Sequence, residues 1–81
     1  MSKEYYKKRI IDLRAQIVKE REAKKRDNER YAKLVKSSST PSTKAQYRKS
    51  KIDYAASHER AIERLKNQIE DCKKSIARLK K

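Results

Sequence analysis

Seven basic residues flank a loop of six hydroxyls in this chain, and no acid interrupts them. Between Arg30 and Ile52 the cations are Arg30, Lys33, Lys36, Lys44, Arg48, Lys49 and Lys51, while Ser37 to Thr40, Ser42 and Thr43 bring the hydroxyls. Ammonium and guanidinium groups neutralise phosphate and release its counterions, so the affinity they give falls with salt. Hydroxyls, and the backbone N–H groups at a helix start, position phosphate oxygens without reading base sequence. The candidate anion-binding set is therefore Arg30, Lys33, Lys36, Ser38, Thr40, Lys44, Arg48, Lys49 and Lys51. Tyr31 and Tyr47 lie close enough to offer stacking. The competing reading is a solvated tip whose charge only keeps the chain dispersed.

A second group is Glu20, Lys24, Asp27 and His58, polar residues where an apolar seam should run. Glu20 and His58 fall opposite each other in the register derived below. An acid–base pair or a metal ligand set is the sharp reading. Catalysis needs a held pocket and more convergent groups, and zinc needs three or four ligands. One His and one Cys, His58 and Cys72, are too few. A register-fixing polar layer is the favoured reading. Cys72 reads as a small core side chain. No catalytic residue, metal or cofactor is expected. The absence of Gly also rules out phosphate loops and dinucleotide fingerprints.

These residues need elements to hold them. From His58 the apolar positions Ile62, Leu65, Ile69, Cys72, Ile76 and Leu79 step by four and three, a heptad seam on one face of a helix. The first half offers a matching stripe of Tyr6, Ile10, Leu13 and Ile17, resumed at Tyr31 and Leu34. Between them, residues 19–30 are almost wholly charged, so helix there rests on propensity and on i,i+4 pairs such as Glu20 with Lys24 and Glu22 with Arg26. Ser2 is a good N-cap for the first helix, and Glu4 suits its first turn. Ser37 to Thr43 is the only turn-like composition, and Thr40 before Pro41 fits N-cap then N1 of a second helix, with Ser42 or Thr43 as competing caps. The early stripe of that helix reads Tyr47, Ile52, Ala55 and Ala56. By this reading Tyr47 and Tyr54 do not both face the partner helix, because Ile52 and Ala55 define a different face.

The expected architecture is all-α: a two-helix antiparallel, coiled-coil-like hairpin. Its helices cover about 3–36 and 41–80, with the turn at 37–43, in a single domain spanning 1–81. Each helix should extend about 50 Å at 1.5 Å per residue. Facing residues sum to about 79, pairing Ile17 with Ile62, Leu13 with Leu65, Ile10 with Ile69, and Tyr6 with Cys72. Ile76 and Leu79 run past the start of the first helix, and Tyr5, Ile11 and Val18 flank the seam. That open edge calls for a partner, either a second copy or another helical protein.

Composition sets the outer limits. Charged residues make up 44% and apolar ones 35%, and the net charge is +14. Self-repulsion of that size implies an anionic partner, nucleic acid or an acidic protein. No apolar run is long enough to span a bilayer, and the faces lack the Trp and Phe of a membrane-surface helix. A lone cysteine and an N-terminus with no apolar signal core point to the cytoplasm, with export by a route without a cleaved signal also compatible.

Two functions follow as expectations. One is a non-enzymatic basic hairpin that binds nucleic-acid phosphate, as a small subunit or accessory factor of a larger assembly. The other is a protein-interaction module that binds an acidic helical protein. For the second, the layout resembles the small WxG-type secreted hairpins and the helical partners of polymorphic toxins in type VII secretion. That resemblance covers the length, the two helices and the central turn, but the Trp-x-Gly turn itself is replaced by Ser-Ser-Ser-Thr-Pro-Ser-Thr.

Overall fold

The computed structural model describes residues 2–79 and consists of two helices, α1 (Lys3–Ser37) and α2 (Pro41–Leu79). The expected end of the second helix at Lys80 lies outside the described residues. The helices run antiparallel, as Glu20 and Asp27 of α1 reach His58 of α2 and Tyr31 of α1 lies against Tyr47. The rod is 63 × 14 × 12 Å. It exceeds the expected 50 Å because α2 alone has 39 residues, about 58 Å of helix.

Both helix starts are capped as their sequences demand. Ser2 Oγ accepts from the Tyr5 amide at 3.3 Å, and Glu4 sits in the first turn. Thr40 Oγ1 accepts from the Thr43 amide at 3.3 Å, directly before Pro41, and Ser42 and Thr43 are already helical. The connection is shorter than the expected 37–43. Ser37 stays helical, and only Ser38, Ser39 and Thr40 lie between the helices. The reason is local. Ser38 takes an extended conformation and directs both its amide and its hydroxyl back to the Leu34 carbonyl, at 3.1 and 2.7 Å. Proline then disfavours helix at Thr40 and supplies a ready first helical residue at 41.

The apolar core occupies the half of the rod away from the turn. Ile10, Leu13 and Ile17 of α1 are buried with Ile62, Ile69 and Cys72 of α2, and Tyr6, Leu65 and Ile76 pack against them. Leu13 is the most deeply buried, at 2% exposure. Nothing between Ile17 and Ile62 reaches that degree of burial. Ala55, Ala56 and Ala61 are half-buried there, opposite the charged middle of α1.

Three seam expectations need correction. Leu79 is 49% exposed rather than part of the seam, because α1 has no residue left to face it. Ile52 turns outward at 67% exposure. Counting back from His58 by a heptad's steps reaches Tyr54 and Tyr47 instead. Both tyrosines therefore do meet α1, on either side of Tyr31. Ile52 was misleading because apolarity alone placed it in the stripe, while the seven-residue spacing of the tyrosines carried the true phase.

Candidate anion-binding end and the polar layer behind it

The turn end gathers the tip cations from two antiparallel helices. Arg30, Lys33 and Lys36 come from the last turns of α1, and Lys44, Arg48, Lys49 and Lys51 from the first turns of α2. Arg30, Lys33, Lys36, Arg48 and Lys49 are exposed, whereas Lys44 and Lys51 are half-buried. Arg30 pairs with Asp27 at 3.4 Å, and its guanidinium stands 5.0 Å from the centre of the Tyr31 ring. Among the described residues the other six make no ion pair with a carboxylate. Cations equal in number to half of the chain's net charge are therefore held at one end, nearly all without internal compensation.

The two hydroxyls assigned to this site are committed to the fold. Ser38 Oγ donates to the Leu34 carbonyl at 2.7 Å, and Thr40 Oγ1 donates to Thr43 Oγ1 at 2.7 Å while accepting from the Thr43 amide. Pro41 has no N–H, and the Lys44 amide is taken by the Thr40 carbonyl. Orphan groups at the two helix ends must be satisfied somewhere, and these hydroxyls lie nearest. An anion at this end would thus be held mainly by side-chain charge. Leu34 and Lys33, with Arg26, Glu29, Arg30 and Ser37, line an open groove of about 430 Å³ on the α1 side.

Behind the tip three aromatic rings meet. Tyr31 stacks on Tyr54 with ring centres 5.4 Å apart and planes 18° apart, and Tyr47 leans against it at 6.4 Å. The Tyr31 hydroxyl beside it raises the Tyr54 phenol above its ordinary value.

Farther along comes the polar layer. His58 Nδ1 lies 2.5 Å from Glu20 Oε1, and Nε2 lies 2.7 Å from Asp27 Oδ2. An ionised carboxylate only accepts, so both ring nitrogens must donate to satisfy both partners, and that requires the imidazolium. Hydrogen bonding to Asp27, then to Glu20, accordingly lifts His58 above its ordinary 6.5, against a smaller opposing effect of burial. Glu20 was foreseeable from the register and Asp27 was not. The two carboxylates are seven residues apart, about 10.5 Å along the helix, and His58 projects between them. Next to this layer Lys24 Nζ reaches Glu59 Oε1 at 2.6 Å, which holds the Glu59 carboxyl below its ordinary range. Glu59 was missed because its sequence position marks it only as solvated. The expected i,i+4 pair of Glu20 with Lys24 is not formed, since both reach across to α2 instead, and the pair of Glu22 with Arg26 is not formed either.

The layer closes on itself around the imidazole. Its two carboxylates occupy opposite sides of the imidazole and leave no ring nitrogen facing a third ligand. Among the described residues no group of three or more His, Cys, Asp or Glu is arranged to hold a metal ion. Cys72 is buried as a free thiol in the core. No helix of the described residues is long and apolar enough to cross a membrane. No family model matches the chain, and no curated protein or solved structure matches it.

Proposed function

We propose that this chain is a non-enzymatic basic hairpin that binds nucleic-acid phosphate through its turn end, as a small subunit or accessory factor of a larger assembly. One observation carries the reading. Seven cations on two helix ends meet around a three-residue turn, with no acid in the interval and with six of the seven making no ion pair among the described residues. A field of one sign at one end of a rod attracts a polyanion and orients the approach. The contacts are to phosphate, so they favour charge and shape over base sequence. A buried free thiol at Cys72 suits a reducing compartment, and we place the protein in the cytoplasm.

Salt titration of binding to a labelled oligonucleotide tests the reading. With several phosphates neutralised, the logarithm of the affinity should fall linearly with the logarithm of salt, by about 0.7 to 0.9 per contact. Affinity indifferent to salt, or no binding at low salt, would remove the proposal.

A second reading has its own support. Ile11 and Val18 stand exposed, seven residues apart on α1. Beside Val18 runs an open groove of about 540 Å³ with Ile17 and Ile69 in its lining. Arg14, Arg21, Lys66 and Lys73 stand around it with Glu63 and Glu70, so cations outnumber acids there by four to two, and Lys73 is paired with Glu70. An acidic amphipathic helix would suit it, and co-purification with such a protein free of nucleic acid would be its mark.

A further inference from the structure

Tyr54 has a place that neither the core nor the cationic tip accounts for. It holds a seam position, yet it remains 46% exposed. One face of its ring is taken by Tyr31, at 5.4 Å and nearly parallel. Among the described residues no other aromatic ring and no cation covers the opposite face. Tyr31 is itself fixed from its surroundings, by Tyr47 and by the Arg30 guanidinium at 5.0 Å. The result is a braced aromatic stack whose last ring faces water. It sits one helical turn past Lys51, and Arg30 adjoins its far side, so phosphate-binding charge lies within a nucleotide's reach.

We infer that Tyr54 is a stacking platform for an unpaired base, so that the hairpin prefers single-stranded nucleic acid to duplex. The inference rests on the proposed phosphate binding and adds the class of strand. An unpaired base exposes a flat π-face that a duplex keeps inside its own stack. Aromatic side chains in basic grooves use that face, tolerate any base, and lose substantial affinity when truncated. The braced stack favours this further, because Tyr54 is held in place before the base arrives and less freedom is lost on binding.

The test compares a labelled oligothymidylate with a mixed-sequence duplex of equal length, at one fixed salt concentration, for the parent protein and for Tyr54→Leu and Tyr54→Phe. Circular dichroism of each variant verifies that the helices are intact. Tyr54→Leu keeps apolar bulk against Tyr31 but offers no π-face. It should lower affinity for the single strand about tenfold and leave duplex binding nearly unchanged, whereas Tyr54→Phe should retain the parent's preference. The chain has no Trp, so its tyrosines supply the intrinsic fluorescence, and saturation with oligothymidylate should quench it less in Tyr54→Leu. Equal losses on both strands, or none on either, would overturn the platform. Salt-sensitive binding that survives such a result would leave the phosphate reading standing, whereas a parent protein that binds neither strand would end both.

Discussion

At the residue scale the most specific arrangement is a single imidazole held between two carboxylates. His58 donates to Glu20 and Asp27 across the helix interface, and those bonds raise its affinity for a proton. A raised folded-state pKa means that the native protein holds its proton more tightly than the unfolded chain does. The stabilisation is fully present below the unfolded value near 6.5. It is lost as pH climbs through the higher folded value. Melting temperature should therefore fall as pH rises from about 6 to about 9. His58→Gln, which can still donate one hydrogen bond, should flatten that decline, as followed by circular dichroism. A parent protein whose melting is level over this range would contradict the charged layer. In the sequence these residues showed only as gaps in an apolar stripe. Spacing placed Glu20 opposite His58, but not the doubly bonded ring, because an imidazole's two-sided reach depends on a rotamer that sequence does not encode.

At the scale of the elements, the two halves of the rod are held together by different means. The end away from the turn has the apolar core of Ile10, Leu13, Ile17, Ile62, Ile69 and Cys72. The turn end has tyrosine stacking, the polar layer and two helix caps. Leu13→Ala should destabilise by about 3 kcal/mol, since a nearly sealed leucine leaves a cavity that rigid helices close poorly. Ile52→Ser, at an outward position, should change stability by no more than about 0.5 kcal/mol. Urea unfolding monitored at the helical band checks both, and the reverse order would show that the seam has been placed on the wrong face. The heptad of the apolar half was legible because Ile and Leu mark it directly. In the turn half the seam continues through Tyr47, Tyr54 and His58, residues that apolarity ranks below Ile52. The turn was legible in kind but too long by four residues, because serine and threonine suit caps and loops alike.

At the scale of the whole molecule, shape and charge act together. A rod 63 Å long carries an acid-free run of seven cations at the bend and its apolar core toward the other end. Of the acids, Glu20, Asp27 and Glu59 are tied to His58, Arg30 and Lys24. Charge run and hairpin together bring distant cations such as Lys33 and Arg48 to one end. The partner is less legible, since a patch of cations specifies the sign of a ligand and little more.

The central claim, that the location of the charge matters and not merely its total, can be tested in one comparison. One variant carries Lys33→Gln, Lys36→Gln, Lys44→Gln and Arg48→Gln at the turn end. The other carries Lys8→Gln, Arg9→Gln, Lys66→Gln and Lys74→Gln, all exposed and away from it. Both remove the same charge. The account predicts that the first variant binds a labelled oligonucleotide far more weakly, with a salt slope shallower by about one for each phosphate it no longer neutralises, while the second stays close to the parent. Equal weakening in the two variants would contradict it.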